Sequence, residues 1–505
     1  MIWQYLHQDI TPDQASSAFY QLENANLRFL TDYAKKTDDS DVIYTVDCLQ
    51  KKEDELVLIP QDDCLFLALT PEKASHLQHY ERLWITNRLN GKFTDISWLD
   101  KMNSDQHFVD SNDVEKSVRL FLVSLPKYRD EHFNDYLSSE TTKKLSENPF
   151  FSAFAYAAIT DLNLDKLNKS LTQINYGSYP FETHFYLAMN ALKYDAPETA
   201  YYHLLAAQKK AISPMDSDKI NFWLYQVTQK NEYLVTLSNS LDINMYVLWS
   251  RDLLKLPTEN YFSNLPTSYE GGFDGTDPFK WQKFHKVFLE STPDTLYQLI
   301  EQNDGNKSVA VQAYMLEKTY FPYIHNFTTP YNDYMNSISN DQKAMLYALM
   351  RQETRLIPGL FSPSFALGLM QIMPFNVDSI SKANTLKIST YDDMFKPEYS
   401  IPYSIEHMKH IDKSLLSPVF KAYAYNGGIG FTRRLITSGK IFLPGKYEPY
   451  LSMELVWNAE SREYGKKVLA NYVIYKKIFN EPVSIISISD NLVLPSRSDF
   501  FRASE

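Results

Sequence analysis

The stretch FYLAMNALKYDAPETAYYHLL, residues 185–205, decides the fold class. Phe185, Leu187, Ala188 and Leu192, then Ala200, Tyr201, Leu204 and Leu205, recur at three- and four-residue spacing. Residues so spaced share one face of a helix, whereas a half-buried strand would alternate every second position. Pro197 lies between the two runs, where a second helix begins and a missing N–H does no harm. The stretch therefore reads as helix–turn–helix. Similar pairs can be drawn around 150–175, 216–240 and 242–255. A period of roughly thirty residues suggests a stacked α-solenoid of the tetratricopeptide type. No unit carries a strict repeat signature, so a degenerate superhelix describes it better.

Glycine usage supports an all-α chain. Of 14 glycines, only Gly91 and Gly177 precede position 270, which fits helices joined by tight polar connections. The first 140 residues read as irregular helices, broken at Pro60 and at a turn at Asp62-Asp63. The segment YEGGFDG, residues 269–275, is the clearest linker, and a helical region follows from Phe279 to about Tyr320. Beyond Pro330 glycines, prolines and aromatics gather in loops between short helices, where chemistry tends to sit.

Composition bounds the function. The 505 residues are 44% hydrophobic and 22% charged, an ordinary globular balance. A net charge of −12 disfavours a general nucleic-acid binder, which needs clustered cations to neutralise phosphates. No run approaches the ~20 apolar residues needed to span a bilayer; the longest candidate, Phe150 to Ile159, is half that and contains Ser152. The start, Met1-Ile2-Trp3-Gln4, lacks the basic and apolar regions of a secretion signal. Cys48 and Cys64 are the two cysteines, readable either as one bridge or as two buried thiols. Neither CxxC nor HExxH occurs, so a zinc enzyme has little support, and no cofactor is implied.

The chemistry centres on NDQKAMLYALMRQE, residues 340–353. Ser339 or Asn340 can cap this helix, Asp341 suits its positive end, and Pro358 marks the stop. Leu346, Leu349, Met350 and Glu353 share one face. A carboxylate on an apolar face must be paired, left at a cleft edge, or allowed a raised pKa. The first outcome would pair Glu353 with Arg351 or Arg355; the last would make it a general acid near neutral pH. Spacing alone does not choose.

Three further motifs follow in order: SPSFALGLMQIMP at 362–374, AYNGGIG at 424–430 and ESREY at 460–464. Together with Glu353-Thr354 they resemble the catalytic domain of the soluble lytic transglycosylases, which is similar in fold to goose-type lysozyme. Four motifs in the right order over about 110 residues make a specific signal. Two positions depart from the family pattern: Thr354 stands for its usual serine, keeping the hydroxyl, and Gly465 stands for a valine after Tyr464. Glycine inside a helix costs about 1 kcal/mol relative to alanine, and the sequence offers no reason for it.

The resemblance implies an N-terminal irregular helical domain (1–140), an α-superhelical domain (141–265), a helical linker domain (266–328), a lysozyme-like catalytic domain (329–482) and a tail (483–505), the domains arranged as a ring. It implies periplasmic action on peptidoglycan strands and muropeptides, with room for cell-wall protein partners. Glu353 would protonate the oxygen between N-acetylmuramic acid and N-acetylglucosamine, then take the proton of the muramoyl C6 hydroxyl, leaving a 1,6-anhydro end. Glycosidases usually need two carboxyl groups; here the substrate's N-acetyl oxygen would replace one.

Ser362 and Tyr425 are expected near the acid, with a turn or cap as the plain alternative for Ser362. Gln371 and Asn426 both donate and accept, which suits sugar amides and hydroxyls. Met370 and Met373 read as half core, half cleft lining. Glu460 either orients substrate or anchors Arg462, and Tyr464 shares its helical face. Gly427, Gly428 and Gly430 read as turn residues. Most of the 36 tyrosines and 30 phenylalanines belong to the core. The rival readings are a lysozyme-type hydrolase and a helical-repeat scaffold with an inactive glycan-binding domain.

Overall fold

The protein is described from a computed structural model, covering residues 6–20, 26–93, 96–102 and 113–502. The start read above for a secretion signal lies outside these residues. The chain is all-α, as its spacing indicates. Among the described residues the named strands are two-residue segments, Tyr261–Phe262 and His325–Asn326, paired in parallel. No helix among them is long and apolar enough to cross a membrane.

Two compact units divide the chain, Met1–His203 and Leu204–Glu505, the boundary falling inside the helix Pro197–Gln208. In the first unit, Asp62 and Asp63 open a helix, Asp62–Ala68, rather than forming the expected turn. Carboxylates stabilise the positive end of a helix, and Asp62 also binds Arg88 and Lys92 at 2.7 and 2.6 Å. A disulfide joins Cys48 to Cys64 and ties this helix to Ser40–Gln50. The helices Phe151–Thr160, Asp165–Leu171 and Phe181–Lys193 follow. Phe185, Leu187, Ala188 and Leu192 are all buried, as their spacing requires.

The second unit contains the pair Pro214–Thr228 and Asn231–Ser238, then Met245–Leu253. The glycine-rich segment 269–275 is a mostly exposed strap tied down by backbone hydrogen bonds. Its carbonyls at Tyr269, Gly271 and Gly275 accept from the backbone N–H groups of Asn306, Lys307 and Gly359. Three helices follow it: Pro278–Glu290, Pro293–Glu301 and Val309–Tyr320. The helices Asn340–Thr354 (the carboxylate helix) and Ala459–Ile478 (the late helix) then pack against one another. Their rings at Tyr347 and Tyr475 stack at 5.2 Å, and Asn471 donates to the Ala348 carbonyl at 3.1 Å. The final segment is built into this unit, because buried Asp499 binds Arg502 at 2.8 Å and the Ser498 carbonyl accepts from Leu416 and Ser417.

Candidate active site

Ser339 caps the carboxylate helix in a reciprocal box with Gln342, at 3.3 and 3.1 Å. Leu346, Leu349 and Met350 are buried beneath it. The helix stops at Thr354, ahead of Pro358, because Arg355 and Leu356 take left-handed backbone angles, φ 52° and 69°. Glu353 therefore lies in the last turn, half-buried.

Neither neighbouring arginine reaches it. Buried Arg351 pairs with Glu317 at 2.7 Å, donates to the Asn326 carbonyl and to Asn471, and lies 4.1 Å above the Phe327 ring. Arg355 also turns to Glu317, at 3.3 Å. Among the described residues Glu353 forms no ion pair, so the pairing left open by its spacing does not occur. What it has is a hydrogen bond: the Tyr464 hydroxyl donates to Oε1 at 2.5 Å. Burial pushes the Glu353 carboxyl up; the Tyr464 bond opposes this, the Glu460 charge adds to it, and the result is about 7. With Oε1 accepting from tyrosine, the acidic proton belongs on Oε2.

Two tyrosines line the same centre. Burial and then the Glu353 charge hold both phenols well above their usual range, so each keeps its proton. The Tyr425 hydroxyl donates to the Met370 carbonyl, and its ring meets His407 edge-on at 5.4 Å. Asn426 is clasped between two late-helix residues: Ser461 donates to its Oδ1 at 2.6 Å, and its amide donates to exposed Glu460 at 2.8 Å. Glu460 is thereby aimed by Asn426. Arg462 donates to the Val456 carbonyl at 2.7 Å and lies 3.7 Å from Glu463.

The loop 360–372 is held by its own polar groups. Ser362 Oγ accepts from the N–H groups of Ser364 and Ala366, the turn arrangement weighed for it. Gln371 donates to the carbonyls of Leu360 and Gly368 at 3.1 and 2.8 Å. Met370 is fully buried and contributes its carbonyl, while Met373 is half-buried and precedes the helix Pro374–Ala383. Thr354 Oγ donates to the Leu369 carbonyl at 3.0 Å and so fastens this loop to the carboxylate helix. Of the three glycines read as turn residues, Gly428 alone has a left-handed φ, 87°. Gly427 ends one helix and Gly430 lies within the next.

Sequence reasoning missed Glu317, Ser461 and His407. Glu317 lies 34 positions before Arg351, and no local signal connects them. Gly465 now has its reason: a Cβ there would lie 2.2 Å from the ring of buried Tyr423.

The transglycosylase SLT domain model matches residues 331–442. That stretch is similar to the SLT domain family. The match covers Glu353, the 360–372 loop and the Tyr425-Asn426 pair, while Glu460 and Tyr464 lie beyond its end. The soluble lytic murein transglycosylase of Escherichia coli (strain K12) is 25% identical over 187 residues, 36% of this chain and 28% of that protein. A putative soluble lytic murein transglycosylase of Haemophilus influenzae is 25% identical over 198 residues, 37% of this chain and 33% of its own length. Matches to these relatives thus span a third or less of their length. Among solved structures, lytic transglycosylase Slt of Pseudomonas aeruginosa aligns with TM-score 0.49 and 15% identity, covering 99% of this chain and 88% of that one. The 70-kDa soluble lytic transglycosylase of Escherichia coli aligns with TM-score 0.46 and 15% identity, covering 96% and 77%.

Proposed function

We propose that this protein is a peptidoglycan lytic transglycosylase acting in the periplasm, with Glu353 as its single catalytic carboxyl group. One observation carries the proposal: a half-buried carboxyl in a stretch similar to the SLT domain family, free of any ion pair among the described residues, raised to about 7 and positioned by the Tyr464 hydroxyl. Such a group still holds its proton at neutral pH and has little driving force to keep it, as a general acid needs.

Glu353 gives its Oε2 proton to the glycosidic oxygen between N-acetylmuramic acid and N-acetylglucosamine, and the C1–O bond breaks. The muramoyl N-acetyl oxygen stabilises the cation developing at C1, in place of a second carboxylate. The Glu353 carboxylate, still bound by Tyr464, then takes the proton of the C6 hydroxyl as that oxygen bonds to C1. The product is a 1,6-anhydromuramoyl end, Glu353 is protonated again, and no water is consumed. Tyr425, Asn426 and Glu460 line the sugar path; Ser362, Gln371, Met370 and Met373 shape the loop on its other side. In this reading residues 141–265 form a helical array, 266–328 the linker domain and 329–482 the catalytic domain. The Cys48–Cys64 bridge suits an oxidising compartment.

Mass spectrometry of products from purified sacculi tests the chemistry. Anhydro ends are expected, and borohydride-reducible muramic ends would instead establish a hydrolase, with water taking the place of the C6 hydroxyl. Glu353→Gln should lower muropeptide release by at least ~10²-fold, the usual contribution of a general acid; unchanged release would make the domain a binding scaffold.

A further inference from the structure

Among the described tryptophans, Trp98, Trp223, Trp249 and Trp281 are buried, while Trp84 and Trp457 are exposed. The Trp84 ring has the Arg88 guanidinium over it at 5.1 Å. The Trp457 ring instead meets Phe431 at 5.4 Å, nearly perpendicular to it at 84°. An edge-to-face pair covers at most one side of a ring. Phe431 therefore leaves at least one flat face of the Trp457 indole uncovered.

A single exposed ring is ordinary on a protein surface; its placement is not. Trp457 stands one residue before Asn458, the cap of the late helix, and three before exposed Glu460. Tyr464, about 6 Å further along the helix axis than Glu460, carries the hydroxyl that reaches Glu353 at 2.5 Å. Phe431 holds the other flank of the indole. It is buried, and packed so closely that a Cβ on Gly427 would lie 2.6 Å from its ring and 2.8 Å from Ser461 Oγ. Indole, amide and carboxylate thus share one rigid corner: Trp457 leans on Phe431, Phe431 on Gly427, and the neighbouring Asn426 donates to Glu460 at 2.8 Å.

The corner joins an apolar face to a carboxylate and to an amide with a second N–H to give. A lipid chain lying on the indole would desolvate Glu460, and a nucleic acid would bring its phosphates beside that charge. A neutral N-acetylhexosamine meets every group: the C–H face of its ring lies on the indole, its hydroxyls donate to Glu460, and its acetamido oxygen accepts from Asn426. We propose that Trp457 is a glycan-stacking residue, forming with Glu460 and Asn426 a subsite that takes an N-acetylglucosamine ring at the outer end of the path to Glu353. The inference rests on the glycan-cleaving function proposed above and deepens it, since that reading gives Trp457 no part.

Calorimetric titration of chitotetraose, a peptide-free chain of β-1,4-linked N-acetylglucosamine, into the full-length Glu353→Gln protein tests the subsite apart from catalysis. Saturable binding is expected, weakened about tenfold by adding Trp457→Ala. Adding Trp457→Phe instead, which keeps a flat ring, should weaken it less. Absence of saturation, an alanine variant that binds as its parent does, or a phenylalanine no better than alanine overturns the proposal. Kinetics on solubilised glycan strands separate contact from fold. In the otherwise wild-type protein, Trp457→Ala should raise KM and leave the alkaline limb of kcat/KM in place. A shifted limb would show the substitution acting on Glu353 through the late helix, and overturns the proposal. Failure of the wild type to cut any glycan counts against the function, whereas the titration decides the subsite independently.

Discussion

With both neighbouring arginines turned to Glu317, the Glu353 carboxyl meets burial and the nearby Glu460 charge rather than a cation. Glycan cleavage should therefore fall as pH rises through about 7, where the acid loses its proton. The Tyr464 bond lowers that value, so Tyr464→Phe should move the alkaline limb of kcat/KM to higher pH; an unmoved limb would remove Tyr464 from its assigned place. The same displacement affects stability. The folded value, about 7, lies above the ordinary 4.5, so the folded chain binds this proton more tightly than the unfolded one. The contribution is fully present below about 4.5 and is lost as pH rises through about 7. Its size is on the order of 3 kcal/mol, from a displacement of about two and a half pH units. Glu353→Gln should accordingly resist urea better than the wild type at pH 8 and equally at pH 4. A variant less stable at pH 8 would show that the carboxyl is not under this strain.

Helix packing around the site depends on close approaches that single elements do not announce. Tyr423, on Pro418–Gly427, seats its ring against Gly465 of the late helix, one residue after Tyr464. Alanine at 465 would gain about 1 kcal/mol of helix propensity but force a buried ring aside, which costs about 1–3 kcal/mol. Gly465→Ala should lower the melting temperature, and less so when Tyr423→Leu is also present; equal losses in both backgrounds would contradict this contact. The length, cap and buried face of the carboxylate helix were legible because Ser339, Gln342 and the apolar positions act within a few residues of one another. The glycine was not, since its partner lies 42 positions earlier and only the packing of two helices brings them together. The donor and acceptor groups of Gln371 and Asn426 were legible, but not the backbone carbonyls and late-helix residues that their amides engage.

At the scale of the whole molecule, Glu317 joins the helix Val309–Tyr320 to the carboxylate helix. Burial pushes its carboxyl up, but the charges of Arg351, Arg355 and His325 outweigh burial and hold it below the usual range. Glu317→Gln leaves Arg351 buried without its counter-charge, a change that typically destabilises by about 3–5 kcal/mol. Chemical denaturation should show that loss, while the pH profile of cleavage, measured where the variant is still folded, stays in place; a shifted profile would connect Glu317 to the acid directly. In the first unit, replacing both Cys48 and Cys64 with alanine frees a loop of about fifteen residues and should destabilise by about 3 kcal/mol. A melting profile identical to the wild type would show that the bridge does not form.

The sequence by itself determined the all-α class, the helix pairs near Pro197 and the position of Glu353 on an apolar face, because each depends on residues within a turn or two of one another; the order of the four motifs is read directly along the chain. Tertiary structure decided which of three outcomes befell Glu353. That choice depended on where Arg351 and Arg355 point, and their shared partner comes from another helix. It also joined Cys48 to Cys64, closed the glycine-rich strap against Gly359 and gave Gly465 its ring. Charge pairing and close packing act through space, and spacing along the chain does not specify which distant groups meet.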